Sequence, residues 1–234
     1  MDKWEVLRLS DDLISALKET EFVKRKQRGD IGEIVFVKPS QLLDPRHSLL
    51  GRIFDNDTSH FPAEEFGSSK ALEVLQQVGL GTKVDRDVFL KCAWIVEEEK
   101  SVEKGILLFE YFAENFGEFY DNNQDFTNSL CEICCVPGEF NGQMDLYRFA
   151  DTAAPKDKYL VFKVTPVIPE ACTPPQVMFS SLGIISPPAI STVLRQIRAL
   201  TEVEGSLDRW TYKHANVETV FSAIFSFLQG NFLL

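Results

Sequence analysis

Ala71-Leu72-Glu73-Val74-Leu75-Gln76-Gln77-Val78-Gly79-Leu80 has a counterpart a hundred residues later in Val177-Met178-Phe179-Ser180-Ser181-Leu182-Gly183-Ile184. Leu72, Leu75 and Val78 recur every three residues, which places them on one face of a short helix. Gly79 and Gly183 fit the position after a helix end, where a left-handed backbone closes the last turn. Ser69 and Thr173 are the expected N-caps, the latter with Pro174 as the first helical residue. Upstream of both segments the order of signals also agrees. Phe61-Pro62 matches Thr165-Pro166-Val167-Ile168-Pro169, where proline stops a helix and fixes an extended stretch. Before them stand Ser40-Gln41-Leu42-Leu43-Asp44-Pro45 and Ala150-Asp151-Thr152-Ala153-Ala154-Pro155.

Further upstream, each copy reads as a hairpin. Glu21-Phe22-Val23 and Cys134-Cys135-Val136-Pro137 enter it, and Ile34-Val35-Phe36-Val37 and Leu146-Tyr147-Arg148-Phe149 return. The turns are Gly29-Asp30-Ile31-Gly32 and Asn141-Gly142, the second being a strong hairpin signal because both residues tolerate positive φ. A short helix opens each copy, at Asp11–Leu17 and Asp125–Leu130. Downstream, Thr82-Lys83-Val84-Asp85 and Ser186-Pro187-Pro188 provide helix starts. Val88, Phe89, Cys92, Ile95 and Val96 form one apolar stripe; Ile190, Val193, Leu194, Ile197, Leu200 and Val203 form the other. Each copy closes on another apolar helix, Val102–Phe116 and Val217–Leu228. The expectation is an α+β fold of two tandem helix-rich units, residues 1–117 and 118–234. Each holds a β-hairpin or small sheet packed on short helices, and Gly117–Gln124 is the hinge. A lone two-stranded hairpin is marginal and must pack on helices or neighbours. Phe225-Ser226-Phe227-Leu228 and Phe232-Leu233-Leu234 would leave aromatic surface exposed, which points to a continuing chain or a covering partner.

Composition narrows the function classes. The chain has 234 residues, 35 acidic and 24 basic, with a formal charge of −11. That balance argues against nucleic acid as the main partner, since phosphate binding needs clustered cations. No apolar run approaches the ~20 residues of a membrane span, and Met1-Asp2-Lys3-Trp4 is followed by no secretory apolar stretch. The five cysteines, Cys92, Cys131, Cys134, Cys135 and Cys172, are odd in number and bunched. They read as reduced, buried thiols with a cytoplasmic address. Cys131-x-x-Cys134 lacks a second ligand pair for zinc, because His47, His60 and His214 stand singly. A redox motif would start a helix, whereas this one ends one.

The joint order of these motifs resembles the repeating regions of the sacsin family of large chaperone-related proteins. It stands here as Glu21-Phe22-Val23, Lys38–Pro45, Phe61-Pro62, Leu75–Leu80 and Asp87–Ala93. It stands again as Cys135-Val136-Pro137, Asp151–Pro155, Leu182-Gly183-Ile184 and Ser186-Pro187-Pro188. The Cys134-Cys135 pair departs from the small or apolar residues usual there. The resemblance implies a non-catalytic scaffold or protein-binding module of an intracellular chaperone or quality-control assembly. Its partners would be other modules of a larger chain, or client proteins. In that family the ATP site sits in a separate nucleotide-binding module with a D-x-G-x-G loop, and this sequence has none. No catalytic, cofactor-binding or metal residue follows from the resemblance.

Five stretches invite a chemical reading. Gly79-Leu80-Gly81-Thr82-Lys83 is too short for a phosphate loop and follows a helix rather than a strand. Asp121-Asn122-Asn123-Gln124-Asp125 with Glu132 places acidic or amide groups at loop positions one, three, five and twelve of a calcium-binding EF-hand. Phe126, however, occupies the position that needs glycine. This Asp121–Glu132 loop carries the alternative function, a calcium- or small-ligand-responsive binding module, against a helix-capping hinge. Lys24-Arg25-Lys26-Gln27-Arg28 reads as a solvated hairpin tip or a contact for an acidic partner or phosphate. Glu97-Glu98-Glu99-Lys100 reads as a polar link between helices, and Asp208-Arg209-Trp210 as a loop anchored by its tryptophan.

Overall fold

A computed structural model describes residues 10–26, 34–119, 124–201 and 217–232. The Gly29–Gly32 turn, Asp121, Val203 and the Asp208-Arg209-Trp210 segment lie outside the described residues. The elements run α1 (Asp11–Lys18), β1 (Val23–Lys24), β2 (Phe36–Val37), α2 (Ser48–Ile53), α3 (Ser69–Gln77), α4 (Arg86–Glu99), α5 (Val102–Glu114) and α6 (Phe116–Phe119). They continue with α7 (Gln124–Glu132), β3 (Val136–Phe140), β4 (Gln143–Tyr147), α8 (Lys158–Val161), α9 (Phe179–Leu182), α10 (Ile190–Thr201) and α11 (Val217–Phe232). Single 3-10 turns join many of them. The fold is α+β and helix-rich, with two separate two-stranded antiparallel sheets.

The chain forms two compact units, Met1–Ile95 and Val96–Leu234. The division falls inside α4, upstream of the 117/118 boundary that the sequence repeat suggests. The reason is packing. Helix α5, which closes the first copy in sequence, lies on the β3–β4 hairpin of the second unit. Gly105 makes this approach possible: a Cβ there would stand 2.7 Å from Leu146 Cδ2 and 3.2 Å from the Cys135 carbonyl oxygen.

In the first unit β1 pairs with β2 in the register Val23↔Val37 and Lys24↔Phe36. Val23, Leu42, Leu72, Leu75, Val78 and Leu80 form its core, with Ile14, Leu17, Phe22, Val37 and Phe66 packed around it. Burying each such leucine or valine contributes about 1.5–3 kcal/mol, which is what holds strands this short. Phe54 is fully buried, with the His60 ring 4.5 Å away and Phe61 edge-on at 6.2 Å.

In the second unit β3 and β4 pair over five residues, from Val136↔Tyr147 to Phe140↔Gln143. Asn141 and Gly142 take φ of 50° and 80°, the turn that sequence leads one to expect. One core gathers Val161, Phe162, Val167, Val193, Leu200, Val220 and Ile224 from α8, α10, α11 and the adjoining loops. A chain of rings crosses the other side: Phe149 to Phe109, Phe109 to Phe112, Phe112 to Phe119, and Phe119 stacked on Phe126 at 5.9 Å.

Both units are built on the same backbone hydrogen bonds. Leu43 N–H donates to His60 O, and Ala153 N–H to Pro166 O, each at 2.9 Å. Asp44 N–H donates to Gly81 O and Gly81 N–H to Leu42 O; Ala154 N–H donates to Ile185 O and Ile185 N–H to Thr152 O. After the helix end, Leu80 N–H returns to Leu75 O, and Ile184 N–H to Phe179 O. Between them Gly79 and Gly183 hold φ of 111° and 75°, facing Ser40 and Ala150 respectively. An L-residue would be strained at either position.

Local expectations differ in several places. The cap of α3 is Ser68, whose Oγ accepts from Ala71 N–H at 3.2 Å, not Ser69. Thr173 is not an N-cap: it closes the 3-10 turn Glu170–Cys172, its Oγ1 donates to Pro169 O, and α9 starts only at Phe179. Pro174 and Pro175 explain this, because a residue before proline is pushed out of the helical region. Similarly α10 starts at Ile190, and the buried Ser186 Oγ has no hydrogen-bond partner instead of capping it. Leu194 is exposed, and Gln196 takes its place in the buried stripe. The first return strand is only Phe36–Val37, and Phe149 belongs to a 3-10 turn rather than to β4.

Candidate functional site

The groups able to do chemistry are best followed from their immediate partners. Asp44, buried in the turn before α2, is a densely bonded carboxylate. It accepts from Arg46 N–H at 2.9 Å, from Arg46 Nε and Nη2, and from Gln76 Nε2 at 2.7 Å on α3. Burial pushes its carboxyl up, but the Arg46 and Gln76 hydrogen bonds outweigh that and leave it below its ordinary 3.8. It ties the turn to α3. At the equivalent position of the second unit the frame carries Ala154, so the knot is not common to the two units.

Of the expected polar link between helices, Glu97 and Glu99 belong to the last turn of α4. Glu97 Oε1 accepts Cys134 N–H at 2.8 Å at the entry to β3. Glu99 Oε2 pairs with Lys104 Nζ at 2.6 Å, and Lys104 is buried. Lys100 makes the turn between α4 and α5 at a φ of 51°. On α10 the fully buried Gln196 accepts Lys163 N–H at 2.8 Å and holds the end of α8.

All five cysteines are free. Cys92, Cys135 and Cys172 are buried, and Cys131 and Cys134 are partly so. Burial raises every one of these thiols, Cys92 and Cys172 to about 12. For Cys134 the charge of Glu97 adds to burial. Thiols raised in this way are poor nucleophiles.

The calcium-loop reading fails on its backbone. Asp121 lies outside the described residues, but positions four to twelve, Gln124 to Glu132, are helix α7. A ligating loop must curl its carboxylates inward, and a continuous helix spreads Asp125 and Glu132 along its surface. Among the described residues no three of His, Cys, Asp and Glu gather as a metal site. In the phosphate-loop lookalike, Gly79 closes α3 and the Gly81 N–H is spent on Leu42 O. Of the basic cluster, Lys24 and Lys26 reach Glu65 and Glu64 at 3.8 and 3.9 Å; such exposed pairs are worth ~1 kcal/mol or less. Gln27 and Arg28 lie outside the described residues.

The surface carries the more telling feature. Leu13, Ile34, Phe36 and Trp94 in the first unit stand exposed, as do Val177, Leu194 and Phe225 in the second. Phe225 is 62% exposed at the middle of α11, beside Phe221 with ring centroids 6.4 Å apart. Among the described residues no helix is long and apolar enough to cross a membrane. The periodicity of α11 locates Phe225, whereas Asp44, Glu97 and Gln196 have no sequence signal, because their partners come from distant segments. Comparison with protein-family models, curated proteins and solved structures finds no match.

Proposed function

We propose that this chain is a non-catalytic scaffold and protein-binding module of a sacsin-like intracellular chaperone or quality-control protein, with other modules of that protein or its clients as partners. The observation that carries the reading is a division of labour. Asp44, Glu97, Glu99 and Gln196 each hold one segment to another, while Trp94, Phe36 and Phe225 face solvent. Contiguous apolar surface serves association, and Phe221 and Phe225 lie side by side on α11. The motif order supports the sacsin-like assignment, and the free thiols support a reducing, cytoplasmic setting.

The test is aggregation of a heat-unfolded enzyme followed by light scattering. The chain in molar excess suppresses the scattering, and Trp94→Glu weakens the suppression. An unchanged scattering curve at every ratio contradicts client binding. Isothermal titration with magnesium-ATP gives no heat; micromolar binding contradicts the non-catalytic reading.

A further inference from the structure

The second unit shows how this architecture covers its hairpin, and in the first unit the corresponding described side chains are exposed. In the second unit α5 lies over the β3–β4 hairpin, where Leu146 is 8% exposed against Gly105, and α6 covers α7 by stacking Phe119 on Phe126. The strand registers make Phe36 the counterpart of Leu146, since each precedes the residue paired with the first valine of the hairpin, Val37 with Val23 and Tyr147 with Val136. Leu13 is the counterpart of Phe126 in the opening helix. Yet Phe36 is 51% and Leu13 45% exposed. The helix that follows α10 in the second copy, as α5 follows α4 in the first, is α11, and both begin Val-Glu. Helix α5 leaves only Glu103 and Glu114 exposed, whereas α11 keeps an outward stripe of Ser222, Phe225, Ser226 and Gln229.

We infer that α11 of one copy of this chain docks through Phe221 and Phe225 on the hairpin face around Phe36 of a second copy, repeating between molecules the α5-on-hairpin packing that exists within one. The two patches differ, so each copy both gives and receives a helix, and the contact either closes, by reciprocal exchange between two copies or in a ring, or propagates as a chain. The inference goes beyond the scaffold reading. It stands on the doubled architecture and survives the loss of any chaperone role.

Analytical ultracentrifugation of the full chain with two surface variants tests it. The wild type rises with concentration from 26.6 kDa to multiples of that mass. Phe36→Glu and Phe225→Glu, checked as folded by circular dichroism, each remain monomeric alone because each lacks one patch. Mixed, they form a single species of two protomers, since one intact patch remains on each. Phe36→Asn replaces Phe36→Glu if the latter loses its far-ultraviolet spectrum. A wild type that stays at 26.6 kDa at millimolar concentration overturns the inference. So does a Phe36→Glu variant that still self-associates while the mixture forms no dimer, the pattern of a two-fold α11–α11 contact.

Discussion

Replacing Gly105 by alanine sets helix propensity against the packing of α5 on its hairpin. An interior glycine costs a helix about 1 kcal/mol relative to alanine, so propensity alone favours the change. The new Cβ would meet Leu146 Cδ2 at 2.7 Å, the Cys135 carbonyl oxygen at 3.2 Å and Val96 Cγ1 at 3.5 Å. Leu146 can rotate away, but only by giving up its buried place. The Cys135 carbonyl is backbone at the entry to β3 and has little room to move. Overpacking by one methyl costs about 1–3 kcal/mol, so the net effect is a loss of about 1 kcal/mol. Amide hydrogen exchange in residues 136–147 is the appropriate assay, because it reports local opening and does not mix the two units. Those amides exchange about 5-fold faster in Gly105→Ala. Leu146→Ala alone speeds them more, by the loss of a buried leucine worth about 2–5 kcal/mol. In the Leu146→Ala background, Gly105→Ala becomes neutral or protective, since the closest clash is gone and the helix gain remains. Simple additivity, or slower exchange in Gly105→Ala alone, refutes the packing of α5 on the hairpin as described.

Three further outcomes follow from the polar groups. Asp44→Ala destabilises the first unit by about 1–2 kcal/mol rather than more, because the partly exposed Arg46 and Gln76 can turn to water. The Asp44 carboxyl lies below 3.8 when folded, so its contribution is present above that pH and lost as pH falls further. The gap between variant and wild type therefore closes in acid, and a gap that widens there contradicts the ionised knot. Glu97→Gln removes the charge that, after burial, raises Cys134, so the alkylation profile of Cys134 moves to lower pH; an unmoved profile contradicts the Glu97–Cys134 proximity. At mildly alkaline pH an alkylating reagent labels Cys131 and Cys134 first and reaches Cys92, Cys135 and Cys172 only in denaturant; mass spectrometry showing early modification of Cys92 contradicts the burial described.

Much of the frame is legible in the sequence because its signals are local. Gly79 and Gly183 mark helix ends since only there is a left-handed backbone needed, and Asn141-Gly142 marks a hairpin for the same reason. The stripe Phe89, Cys92, Val96 follows from helical period. What escapes is set by distant neighbours. The division inside α4 has no local signal because α5 reads as the end of one copy but packs with the other; Gly105 inside an apolar helix is a hint. Thr173 looks like a cap until the paired prolines behind it are weighed for their effect on each other. Gln196 sits in a buried stripe where it accepts the Lys163 N–H, a partner from a distant segment. The surface around Phe225 was legible as an apolar helix face, while its counterpart around Phe36 appears only when the two units are compared.

The doubled frame itself can be observed bond by bond. Scalar couplings across hydrogen bonds, measured by NMR on the labelled chain, report each donor and acceptor directly. The expected result is a coupling from Leu43 N–H to His60 and from Gly81 N–H to Leu42, matched by couplings from Ala153 N–H to Pro166 and from Ile185 N–H to Thr152. Couplings in one unit alone, with their counterparts absent in the other, would mean that the two halves of this chain do not share a fold.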